Sequence, residues 1–146
     1  MLSTSTNNSL IIKLLTVMVI LAIAFSLRLY YINHTEVDTP IRADARDYYS
    51  YAMNMKGHHV YSRTWPSSTT PEPDSLRSPG YPFFISELVQ WPPTKPMVWV
   101  ITFWQALLDT LTVLMTYFLA RQFLGEKLAL FTALCTAISP HMISAT

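Results

Sequence analysis

The chain has 146 residues, 51% of them hydrophobic and only 13% charged, against roughly 25% charged in an ordinary soluble domain. A net charge of +1 supplies no concentrated basic face, which excludes a nucleic-acid backbone as the expected partner. The single cysteine, Cys135, falls in an apolar run, so the chain has neither a disulfide framework nor a cysteine metal centre.

Three apolar segments organise the chain. Residues 10–29 carry only Lys13 and Arg28, near the segment ends, residues 97–120 carry one charge, and residues 128–146 carry none. Each is long enough to cross roughly 30 Å of hydrocarbon at about 1.5 Å per residue. A cleaved signal peptide competes for the first segment, since Ala24-Phe25-Ser26 weakly resembles a cleavage site. The missing basic n-region and the immediate Arg28 count against it. Arg121 and Lys127 outnumber Glu126 in the short second connection, and basic residues in short loops mark the cytoplasmic side. The expected order is a cytoplasmic N-terminus (1–9), a first span (10–29), an outer or lumenal loop (30–96), a second span (97–120), a cytoplasmic loop (121–127) and a third span (128–146). The predicted fold class is an all-α polytopic membrane protein of about three transmembrane helices, with interfacial helices in the first outer loop. Two or three helices bury few polar groups among themselves, and Ser139 to Thr146 closes without a polar flank. The chain therefore reads as the N-terminal piece of a longer protein.

Within the large loop, Thr39-Pro40 precedes a helix predicted over 43–56. Ala45, Tyr48, Tyr49, Ala52 and Met55 recur there at helical spacing and make one apolar face. Gly57 is the expected C-cap. A helix with tyrosines on one face and charges elsewhere suits the membrane interface, with Asp44 in its first turn. From 62 to 78 the chain is rich in Ser, Thr and Pro, and Pro66, Pro71 and Pro73 prevent regular structure. Ser78 is the expected N-cap and Pro79 the first residue of a short helix over 79–90. Trp91-Pro92-Pro93 and Pro96 end it, and Trp91 and Trp99 mark a return to the interface.

The series Asp44-Ala-x-x-Tyr48-x-x-x-Ala52, Gly57-x-x-Tyr61, Arg77-x-Pro79-Gly80-Tyr81-Pro82 and Ala120-Arg121-x-Phe-Leu-Gly125 resembles, in order, the N-terminal third of the GT-C membrane glycosyltransferases. The likeness is greatest to the aminoarabinose-transferase-like and protein O-mannosyltransferase-like families. It implies transfer of a sugar from a polyprenyl-phosphate donor to an acceptor, with inversion, by a multi-span helical domain with two interfacial helices in its first outer loop. It further implies Asp44 as catalytic base and Arg77 as the residue facing the carrier phosphate, with Tyr48 and Tyr81 beside it as substrate-binding residues. Ala45 stands where mannosyltransferases carry a second acid. Metal dependence is therefore left open, with a divalent metal ion as the candidate cofactor.

The chemistry is consistent with the residues themselves. Inverting transfer needs a carboxylate to take a proton from the attacking hydroxyl. A phosphate leaves as a stable anion, so a cation can replace a general acid, and an arginine fork binds phosphate oxygens bidentately at any working pH. Plainer roles compete. Asp44 in a first turn complements the helix dipole, worth roughly 0.3–1 kcal/mol, and from the pattern alone that role leads. Arg77 alone reads as a headgroup-contacting arginine, and Asp47 as part of a solvated face. Asp109 shares a helical face with Thr102, Gln105, Thr112 and Thr116 and reads as a structural polar stripe. His58-His59 has no third residue at ligand spacing and is not expected to hold a metal.

The sequence thus points to part of a lipid-phosphate-sugar-dependent glycosyltransferase. Its partners would be the bilayer, the polyprenyl-phosphate-sugar donor and an acceptor lipid, glycan or protein. A multi-pass location in a bacterial inner membrane is preferred over the endoplasmic reticulum. The alternative is a non-enzymatic assembly or transporter subunit whose outer loop docks a partner.

Overall fold

From Ser3 to His34 the sequence has neither proline nor glycine, and a single helix, α1 (Ser3–His34), runs through it in the computed structural model, which describes residues 3–35, 40–66, 70–92 and 97–144. Thr39 and the prolines at 93 and 96, used above as helix boundaries, lie outside the described residues. Five further helices follow: α2 (Asp44–His58), α3 (Gly80–Leu88), α4 (Met97–Phe123), α5 (Glu126–Ala137) and α6 (Pro140–Ser144). Among the described residues there is no strand.

Two helices are long and apolar enough to cross a membrane, Leu10–His34 within α1 and Met97–Phe123. Both run past their expected ends at 29 and 120, because Tyr30, Tyr31 and Ile32, and then Arg121, Gln122 and Phe123, contain no helix breaker. Only 11% and 17% of their most apolar windows are buried within the chain, unlike the core helix of a soluble protein. Leu14, Leu15, Met18 and Val19 on α1 are all exposed.

The third apolar segment departs from the expected single span. It forms α5, of 12 residues, and then breaks before α6. At 1.5 Å per residue α5 is about 18 Å long, short of the roughly 30 Å of hydrocarbon. The cause is Pro140, which has no N–H for the Thr136 carbonyl and whose ring opposes that carbonyl sterically.

The chain divides into two compact units, residues 1–35 with 103–146, and residues 36–102. In the first, Ala129, Ala133 and Ala137 present a buried small-residue stripe on α5. They pack with Ile20 and Ala24 of α1 and Val113 and Tyr117 of α4. Small side chains at this spacing let helix backbones approach closely. Arg28 is fully buried there, donating from Nε to Asp109 and from Nη1 to the carbonyls of Ala24, at 2.9 Å, and Ala137, at 3.2 Å. Asp109, itself half-buried, is therefore the ion-pair partner of a buried arginine and more than a member of the expected threonine and glutamine stripe.

In the second unit Ala52 and Met53 of α2 pack on Ile85 of α3, on Val89 just past its end and on Met97. The expected apolar face is only partly right. Ala45 is exposed, while Ser50, Tyr51 and Asn54 are buried on the other side of the helix. Tyr51 and Asn54 are covered by the irregular segment that follows α2. Asn54 Nδ2 donates to the carbonyls of Ser62 and Thr64, and Ser62 Oγ to that of Glu72. Gly57 is not the C-cap; His59, at φ 56° and ψ 29°, takes that position. Gly57 is required by close approach instead, since a β-carbon there would come within 2.5 Å of the Trp91 ring. Helix α3 starts one residue later than expected, with Pro79 as N-cap and its carbonyl accepting from the Phe83 N–H at 2.9 Å. It ends at Leu88, because Val89 turns extended. Pro82 sits in the first turn, where a missing N–H costs no helical bond.

Candidate active site

Asp44 and Asp47 stand one turn apart at the start of α2, a spacing that aims two side chains the same way. Arg77 lies just before α3 and meets both. Its Nη2 donates to Asp44 Oδ1 and, at 3.0 Å, to Asp47 Oδ2, and its Nε donates to the same Asp47 oxygen at 3.2 Å. Tyr48 supplies the floor, with its ring 5.5 Å from Arg77 Cζ, a cation–π distance. Tyr81, from the first turn of α3, meets the Tyr48 ring edge-on with centroids 5.1 Å apart. The four residues singled out from the sequence, Asp44, Arg77, Tyr48 and Tyr81, thus belong to one cluster.

Asp47 is the fifth member, against its expected place on a solvated face. Its side chain is 26% exposed and Asp44's is 71%, so the deeper carboxylate is the one with two contacts to Arg77. The signal was the spacing itself, since Asp44 and Asp47 must share a helical side with Tyr48 close by.

The segment that delivers Arg77 is held by a second network. The Tyr61 hydroxyl donates to the Arg77 carbonyl at 2.8 Å, and the Tyr61 ring stacks on Tyr51 at 4.2 Å. The Tyr51 hydroxyl donates to Asp74 Oδ1, while Asp74 Oδ2 accepts from the Arg63 N–H at 2.9 Å. Asp74 Oδ1 also accepts from the Leu76 N–H at 3.2 Å, the local turn that aspartate side chains favour. The restraint on Arg77 is this bonding to α2. Gly80 permits no close approach, because nothing lies within 4 Å of where its β-carbon would be.

The electrostatics follow from these contacts. The hydrogen bond to Asp47, with the charges of both carboxylates, holds the Arg77 guanidinium above its ordinary value, so it is a permanent cation. Burial pushes the Tyr51 and Tyr61 hydroxyls up. For Asp74 burial acts upward, yet the bonds from Arg63, Tyr51 and Leu76 prevail and hold its carboxyl below the usual range. A second aromatic group flanks α2, where Arg46 lies 5.0 Å over the Trp65 ring and Tyr49 tilts against it at 6.2 Å.

Among the described residues no three His, Cys, Asp or Glu side chains gather as a metal site. The cluster can offer one exposed carboxylate as a proton acceptor and one cation to an anion. Tyr48 and Tyr81 add aromatic surface beside them. Comparison with protein-family models, with curated proteins and with solved structures finds no match to this chain.

Proposed function

We propose that this chain is part of a membrane glycosyltransferase of the GT-C kind, moving a sugar from a polyprenyl-phosphate donor to an acceptor hydroxyl. One observation carries the reading. Asp44 and Arg77, 33 positions apart in the chain, meet on one side of α2 with Asp44 71% exposed. Two apolar helices with little of their surface buried in the chain support a membrane setting. In that setting α5 and α6 form a third, discontinuous crossing, and Arg28 satisfies a carbonyl freed at the break. The resemblance of the motifs around these residues names the donor class.

In the proposed reaction the acceptor oxygen bonds to the anomeric carbon from the face opposite the phosphate. The bond from that carbon to the phosphate oxygen breaks, and its electron pair leaves with the carrier phosphate. The acceptor's proton passes to the Asp44 carboxylate. Arg77 binds the phosphate oxygens and stabilises the charge they gain. The products are the glycosylated acceptor and polyprenyl phosphate.

Donor titrations in native membranes test the role of Arg77. Arg77→Ala should weaken apparent donor affinity and lower turnover together, while Arg77→Lys, which keeps charge but loses the planar fork, should recover part of both. Wild-type turnover and affinity in Arg77→Ala would exclude the phosphate clamp. They would leave the cluster as a docking loop held together by ion pairs, the reading of a non-enzymatic subunit.

A further inference from the structure

Arg77 is held by its two carboxylates in different ways. Asp47 accepts from Nε and Nη2 at 3.2 and 3.0 Å and is 26% exposed, whereas Asp44 accepts from Nη2 alone and is 71% exposed. Tyr48 lies across the guanidinium 5.5 Å from Cζ, and Tyr61 fixes the Arg77 carbonyl. The side chain thus has a fixed base and a fixed floor. One cation and two carboxylates leave the cluster net negative, so an approaching phosphate is attracted only after one carboxylate withdraws. An exposed ion pair with a single contact is among the weaker interactions in a protein. Two hydrogen bonds to one partly shielded carboxylate hold more firmly.

We propose that Asp44 is the exchangeable partner of Arg77 and Asp47 its positioning residue. A lipid-linked phosphate replaces Asp44 on Nη2 while Asp47 keeps Nε and Nη2 aimed. The same exchange releases the Asp44 carboxylate to take the acceptor's proton. Donor binding and base release become one event, and the acceptor is activated only when a donor is in place. This inference rests on the transfer reading above and assigns Asp47 a part in it.

The test is binding of a sugar-free polyprenyl phosphate to the protein in nanodiscs of zwitterionic lipid. Asp44→Asn and Asp47→Asn each remove one negative charge beside the same guanidinium. The general charge effect is therefore common to both, and their difference reports which contact is exchanged. Asp44→Asn should bind the probe roughly 2- to 5-fold tighter than wild type, the span an exposed ion pair supplies. Asp47→Asn should gain less or weaken. Equal affinities in the two variants, or tighter binding by Asp47→Asn, would overturn the exchange. Should Asp47→Asn fail to fold, the absence of tightening in Asp44→Asn against wild type still overturns the exchange. Wild-type binding by Arg77→Ala would instead remove the phosphate site itself, and with it the transfer reading.

Discussion

Ala43 adopts φ 48° and ψ −129° immediately before Asp44, a backbone conformation that glycine takes readily and alanine takes at a cost of about 1–3 kcal/mol. Ala43 is the N-cap of α2, so the strained residue lies at the point where the chain enters the helix that carries Asp44 and Asp47. Ala43→Gly should raise unfolding stability by roughly 0.5–1 kcal/mol, and Ala43→Val should lower it. Thermal unfolding in detergent reads both, and a destabilised Ala43→Gly would contradict the strained geometry. Asp74 makes a prediction in pH. Its folded-state carboxyl lies below the ordinary value, so its contribution is present above about pH 4 and is lost as pH falls through the lowered folded value. The stability gap between wild type and Asp74→Asn should be widest near neutrality and close below about pH 4. A gap of constant size down to pH 3 would show that the carboxylate charge plays no part. The Asp74 network was not legible in the sequence, because Tyr51, the Tyr61–Arg63 stretch and Asp74 are each ten or so residues apart in the chain and only the folded segment brings them together.

Helices were legible where periodicity and breakers coincided. The starts of α2 and α3 fell within a residue of expectation because Asp44 and Pro79 are strong local signals. Their ends did not, since His59 in the left-handed conformation capped α2 in place of Gly57, which instead faces the Trp91 ring, and Val89 turned extended after α3. Gly57→Ala should accordingly disturb the seating of Trp91 and destabilise the unit, although alanine is the better helix former. The third apolar segment misled for a similar reason: hydropathy counts residues, whereas Pro140 interrupts hydrogen bonds. Arg28 was read as a residue near the end of a span and proves to be buried against Asp109. Removing one member leaves an uncompensated charge, so Asp109→Leu should cost about 3–5 kcal/mol, while Arg28→Met with Asp109→Leu should recover most of it. A denaturant titration of the detergent-solubilised variants distinguishes these outcomes. Additive losses in the double variant would contradict a direct pair.

At the scale of the whole molecule, the proposed topology puts the Asp44 and Arg77 cluster on the face opposite Arg121 and Lys127. In a Cys135→Ser background, a cysteine at Thr70 should react with an impermeant thiol reagent in intact cells and one at Gln122 should not. Reversed labelling would set the cluster on the wrong side for an outer-face acceptor. Asp44, Arg77, Tyr48 and Tyr81 were legible from motif order along the loop, whereas Asp47 and the ion-pair geometry were not, since sequence spacing cannot say which of two carboxylates an arginine favours. The central claim is that Asp44 takes the acceptor's proton in sugar transfer from a polyprenyl-phosphate carrier. Its most direct test is transfer of radiolabelled sugar from candidate polyprenyl-phosphate donors in native membranes, comparing wild type with Asp44→Asn. The account predicts donor-dependent transfer that falls by roughly 100-fold or more in Asp44→Asn while donor binding survives. Near-normal transfer in Asp44→Asn, or no transfer by wild type with any such donor, would contradict it.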